Sequence, residues 1–133
     1  MRGLWQILQH AMSMPTVPTR PSNAEIRAEL EQQGDHGTTP RPVTHYAYVE
    51  NEAGDGGSAE ALATDLLELG FQIRRCTATT LIFDAVHAVG LPDFDLITAR
   101  LEACCAAHGW DYDGWECEAI LPPGRRATQQ RRI

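Results

Sequence analysis

Val43-Thr44-His45-Tyr46-Ala47-Tyr48-Val49-Glu50 is the stretch on which the fold turns. Val43, His45, Ala47 and Val49 alternate with Thr44, Tyr46, Tyr48 and Glu50, the period of a strand presenting two chemically different faces. Forward from it, Asn51 to Gly57 is a polar, glycine-rich loop, and Ser58 is placed to cap a helix. Leu62, Leu66 and Leu69 of that helix fall at i, i+4 and i+7, one apolar stripe that Gly70 closes. Phe71 to Arg75 and Leu81 to Val89 read as strands of a hairpin whose loop is Cys76 to Thr80. Pro92 and Asp93 start a helix in which Phe94, Ile97, Leu101, Cys104 or Cys105, and His108 recur at three- and four-residue steps until Gly109. Trp110 to Ile120 is the last strand. Tyr112 and Trp115 are three apart, so they share a face only across a bulge, and Asp113-Gly114 is the place for one. The order β-α-β-β-α-β predicts a ferredoxin-like α+β fold: a four-stranded antiparallel sheet with both helices on one face.

Backward from Val43, Gly37 to Pro42 is a turn-rich connection. Ser22 and Glu25 form a capping box for an N-terminal accessory helix, with Ile26 and Leu30 on one thin face and Gly34 at its end. Pro15, Pro18 and Pro21 mark a linker. The expected organisation is therefore an N-terminal segment and Pro-rich linker over 1–21, an α+β domain over 22–120 with its core at 43–120, and an Arg-rich tail over 121–133.

At 133 residues, 43% hydrophobic and 22% charged, the composition is that of one ordinary globular domain. No run approaches the ~18 apolar residues of a membrane-spanning helix. Gln6, Gln9 and His10 interrupt the apolar start and no small-residue cleavage site follows, so no signal peptide is read and a cytoplasmic location is expected. The charge is unevenly spread: Val43 to Ile120 carries 14 Asp and Glu against Arg74, Arg75 and Arg100, whereas the tail adds Arg125, Arg126, Arg131 and Arg132. An acidic body repels phosphate backbones and favours basic protein surfaces, which points away from nucleic acid and toward a protein partner. The four cysteines lack a Cys-x-x-Cys pair and read as buried, reduced thiols.

Catalytic and cofactor signals are weak by comparison. The loop at 51–57 precedes a helix N-terminus, but Glu50, Glu52 and Asp55 would surround any phosphate there. Asp111-x-Asp113-Gly114 has its glycine too early for a calcium-binding EF-hand loop. Cys104 and His108 form an i, i+4 pair of zinc-ligand type, yet no second pair with ligand spacing is visible, and both sit on their helix's apolar stripe. Two of the three serines are helix caps, and no cysteine stands in an electropositive setting. This reading assigns no catalytic residue, no metal and no cofactor. It singles out Asp111, Tyr112, Asp113, Trp115 and Glu116 as partner-binding residues: a large aromatic on a strand, rimmed by carboxylates, suits a basic partner segment. Trp115 filling the core between sheet and helices is the equal alternative.

The segment Tyr112-Asp113-Gly114-Trp115 resembles the signature of the RraB family, small proteins that inhibit the bacterial ribonuclease E. Gly34-Asp35, Pro40-Arg41-Pro42-Val43, His45-Tyr46-x-Tyr48 and the Leu-x-x-x-Gly-Phe pattern from Leu66 to Phe71 are similar to the same family in order and spacing. The resemblance covers roughly residues 22 to 118. It implies a cytoplasmic α+β protein that performs no reaction, binds a basic segment of a ribonuclease through an acidic surface and so modulates RNA turnover. The family's best-known members carry long acidic extensions, whereas this chain finishes Arg131-Arg132-Ile133. The rival expectation is a small-molecule-sensing, ACT-type regulatory domain, since such sheets often hold ligands between helices and strands.

Overall fold

The computed structural model describes residues 20–49 and 58–121. The expected N-terminal segment up to residue 19, the loop at 51–57 and nearly all of the Arg-rich tail lie outside the described residues.

Ser22 opens the described chain with both halves of its capping box: its hydroxyl accepts from the Glu25 N–H, and the Glu25 carboxylate accepts from the Ser22 N–H. Helix α1 (Asn23–Gln32) follows and buries Ile26 and Leu30. Strand β1 (Arg41–Val49) begins two residues before the first alternating position; Arg41, Val43, His45 and Ala47 are buried. The Ser58 hydroxyl accepts from the Ala61 N–H to cap α2 (Ala59–Glu68). Leu62 and Leu66 are fully buried, but Leu69 is 40% exposed, because it lies past the last helical turn. β2 (Gln72–Cys76) and β3 (Thr80–His87) form the hairpin, closed by a hydrogen bond from the Thr77 N–H to the Thr80 carbonyl. Pro92 opens α3 (Pro92–Ala107), which supplies Phe94, Leu101 and Cys105 to the core. β4 (Trp110–Glu116) stops four residues short of the expected end.

The sheet order is β2-β3-β1-β4, antiparallel throughout, which is the ferredoxin-like arrangement predicted from the element order. The expected bulge is there. Ala47 pairs with Tyr112 and its neighbour Tyr46 with Gly114, so Asp113 is the extra residue. Gly114 has φ of 106°, a backbone state that a side chain would strain. The result puts Tyr112 and Trp115 on the same, inner face of the sheet.

Two apolar clusters cover that face. In the first, α2 and α3 pack on Ala47, Leu81, Phe83, Trp110 and Tyr112. In the second, Ile26 and Leu30 of α1 meet Val43, Val89, Phe94, Trp115, Cys117 and Ala119. α1 is therefore the third helix of the core face.

The ends are tied by a buried ion pair with no local sequence signal. Arg41 is 2% exposed at its side chain and donates both terminal nitrogens to the Asp35 carboxylate, which also accepts from the backbone N–H of Gly37 and of Ile120, each at 2.9 Å. Burial alone would raise the Asp35 pKa, but the guanidinium and the two N–H donors outweigh it and hold the carboxyl below its usual value. This cluster joins the end of α1, the start of β1 and the chain beyond β4.

Candidate functional site

β4 is an edge strand of the described sheet, and α1 and α3 run beside it. Between these three elements lies a groove of about 720 Å³. Asp95 and Glu102 line it from α3, Asp111 and Asp113 from β4, and Arg20 and Arg27 from α1 and the residues before it. Four carboxylates thus face two guanidinium groups.

α1 forms its wall because Asn23 serves two elements at once. Its amide nitrogen donates to Asp95 Oδ1 and to Thr98 Oγ1, each at 2.9 Å, while its oxygen accepts from Trp115 Nε1 at 2.8 Å. Arg27 donates to the Val89 carbonyl at 2.7 Å and to Asp95 at 2.6 Å. The hydrogen bonds from Arg27, and then that from Asn23, hold the Asp95 carboxyl below its usual pKa, so it stays ionised. Arg20 lies in the groove itself. Its guanidinium donates to the Tyr112 carbonyl and to Glu102 Oε1, and sits 5.0 Å from the centre of the Tyr112 ring. A carboxylate, a carbonyl and an aromatic ring together make a guanidinium cradle.

The five residues singled out from the sequence are split three ways. Asp111 and Asp113 stand at the groove. Tyr112 and Trp115, each 3% exposed, are in the core. Trp115 packs edge-on against Phe94, with ring centres 4.8 Å apart. Burial pushes the Tyr112 pKa well up, so its hydroxyl stays protonated, and it shares a hydrogen bond with His45 Nδ1 at 2.7 Å. Glu116 points to the opposite sheet face, where it accepts from the Tyr46 hydroxyl. Of the two readings of Trp115, the structure takes the core one. Of the five, only the two aspartates line the groove.

Sequence reasoning missed Asp95, Glu102 and Arg20. Asp95 and Glu102 are i and i+7 on α3, a spacing that places them on one face, but nothing local says that α1 and β4 border that face.

His45 and His87 come close, with ring centres 5.4 Å apart, but they face Phe71, Phe83 and Phe94. Burial holds both below the usual imidazole pKa, with His87 adding to the effect on His45; His45 is a fully buried core group and His87 a half-buried one at its edge. All four cysteines are free. Cys105 and Cys117 are buried, with pKa values pushed up to about 12 by that burial, whereas Cys76 is exposed and corrects the expectation that all four are interior.

No described helix is long and apolar enough to cross a membrane. No curated protein and no solved structure matches the chain. The family model described as regulator of ribonuclease activity B matches residues 20–117, which spans everything from the Arg20 cradle through α1, the sheet and the bulge of β4. With its acidic groove and bulged Tyr-Asp-Gly-Trp strand inside that match, the chain belongs to the RraB family, regulators of ribonuclease activity.

Proposed function

We propose that this chain is a non-enzymatic cytoplasmic regulator that binds a ribonuclease of the ribonuclease E type and inhibits it, thereby modulating RNA turnover. The contact is made between the carboxylates of the groove and a basic, arginine-rich segment of the enzyme. One observation carries this reading: the groove already holds the guanidinium of Arg20 between Glu102, the Tyr112 carbonyl and the Tyr112 ring. The Asp111 and Asp113 carboxylates extend the anionic lining of that cradle along the groove. Electrostatic complementarity of this kind sets association rate and choice of partner, and it weakens with salt.

The sensing-domain alternative draws less support. The apolar hollow between α2, β3 and α3, lined by Leu69, Phe71, His87, Leu96, Ile97 and Leu101, holds about 190 Å³. Small-molecule sites typically run from about 300 to 1,000 Å³ and are mostly apolar; the groove beside β4 has such a volume but is lined by the charged side chains of Arg20, Arg27, Asp95, Glu102, Asp111 and Asp113.

The test is binding of an arginine-rich peptide from the ribonuclease, followed by calorimetry at low and high salt. The double variant Asp111→Arg, Asp113→Arg is expected to weaken binding by about tenfold or more, since it places like charges opposite the peptide. Unchanged affinity in a variant with native circular dichroism counts against the groove as the contact.

A further inference from the structure

α2 and α3 meet near their C-terminal ends through three groups of metal-ligand type. Asp65 comes from the last turn of α2, Cys104 from the last turn of α3, and His108 from the residue that caps α3. Cys104 and His108 are one turn apart on the same helix face, so both side chains point across to α2. His108 Nε2 lies 2.6 Å from Asp65 Oδ2, and one donor atom from each of the three residues lies within 4.8 Å of the other two. All three residues are only partly buried.

A tetrahedral Zn²⁺ binds nitrogen and oxygen at about 2.0–2.2 Å and sulfur at about 2.3 Å, which spaces its ligands by roughly 3.3–3.8 Å. The observed triangle meets that spacing with an ångström or so of side-chain rotation. We propose that Asp65, Cys104 and His108 form a binding site for a borderline divalent cation, Zn²⁺, with water in the fourth position. An ion pair between Asp65 and His108 alone does not call for a thiol at the third corner. The mixed carboxylate, thiolate and imidazole set is that of zinc rather than of calcium or magnesium, which take oxygen ligands.

Two consequences follow from the placement. Asp65 sits on a different helix from the other two, so only the folded chain assembles the site, and the cation stabilises that state by mass action. The groove-facing carboxylates of α3, Asp95 and Glu102, project from the side of the helix opposite Cys104. Metal binding and peptide binding are therefore separable.

The experiment uses the full chain, reduced and stripped of metal, titrated with Co²⁺ as the spectroscopic stand-in. Saturation at one equivalent is expected, with a thiolate-to-cobalt charge-transfer band and visible bands of four-coordinate intensity, all bleached by Zn²⁺. Cys104→Ser removes the charge-transfer band. Asp65→Asn and His108→Asn each weaken binding by about tenfold or more. Asp65 is half-exposed, so its variant keeps the fold even if His108→Asn does not. Cys76→Ser, which changes the exposed thiol, leaves the spectrum intact. Absence of the band in the parent chain, its survival in Cys104→Ser, or unchanged affinity in Asp65→Asn overturns the assignment.

Discussion

Replacing Asp35 with Asn tests what holds α1 and the end of β4 to the sheet. The carboxylate accepts four hydrogen bonds, two from Arg41 and one each from the Gly37 and Ile120 N–H groups. Asn keeps one oxygen and turns an amide N–H₂ toward those donors. The Arg41 guanidinium, still buried, keeps the Thr39 and Glu118 carbonyls and its contact with Cys117, all uncharged partners, and has no counter-charge. Breaking a buried pair in this way costs about 3–5 kcal/mol, a third or more of the stability of a typical domain. Arg41→Met costs less, because Asp35 then keeps both backbone donors. The double variant is milder than the sum of the singles by about 2 kcal/mol or more, since removing both charges leaves neither one stranded. It does not return to parental stability, because Asn keeps a single oxygen and one of the Gly37 and Ile120 N–H groups loses its acceptor, at about 1–3 kcal/mol. Urea denaturation of the four proteins measures the cycle. The Asp35 pKa is depressed in the fold, so its contribution is present above the unfolded carboxylate pKa of ~3.9 and disappears as pH falls through the lower folded value. Asp35→Asn should therefore flatten the acid limb of the stability curve below about pH 4. Strictly additive singles, or a loss under about 1 kcal/mol for Asp35→Asn, would refute the reasoning.

The histidines predict a second pH effect, at higher pH. His45 and His87 are both depressed in the fold, so above about pH 6.5 neither state holds the proton; below it the unfolded chain protonates first, and stability falls by up to about 1.4 kcal/mol per pH unit for each ring. Denaturation midpoints that stay flat from about pH 7.5 to 5 would contradict this, and His45→Phe should reduce the slope. A β-carbon at Gly90 would run into the His36 carbonyl oxygen and stand 2.9 Å from Gly37 Cα, where the Gly90 N–H now bonds the Gly37 carbonyl at 2.8 Å. Gly90→Ala is expected to cost about 2–3 kcal/mol through that backbone clash. Gly70→Ala, which meets nothing within 4 Å and only strains φ of 99°, should cost about 1 kcal/mol, and thermal melts showing the reverse order would sink the argument.

The fold was legible wherever its cause is local. Alternation at 43–49, the Ser22 and Ser58 caps, and glycine stops at 34 and 70 each act within a few residues, and each appears in the structure. The bulge was legible too, from the three-residue spacing of Tyr112 and Trp115. That spacing also carried the fate of Trp115. Once Asp113 is the extra residue, both rings turn toward the helices, so the bulge and a surface-exposed tryptophan exclude one another. What stayed hidden depends on distant segments meeting: Asp35 with Arg41 and Ile120, Asp65 with His108, and the groove wall supplied by α1. The spacing of Cys104 and His108 marked a ligand pair, but its third member is 39 residues away from Cys104 on another helix.

This division shows how the Tyr-Asp-Gly-Trp signature builds the groove wall while half of it is buried. Tyr112 and Trp115 point inward and fix the strand, the first through His45 and the second through Phe94 and Asn23. Gly114 supplies the backbone geometry of the bulge, which lets two inward rings stand three residues apart. Asp113, the extra residue, is then carried out of the pleat to the groove beside Asp111. The same Asn23 that satisfies the Trp115 indole also holds α1 against Asp95 and Thr98, and so sets the width of the groove. Core and rim are built by one set of contacts, so substitution of Trp115 would alter partner binding by moving the groove wall, and Asp111 or Asp113 by changing its charge. Effects on fold and on affinity separate at the aspartates and coincide at the tryptophan.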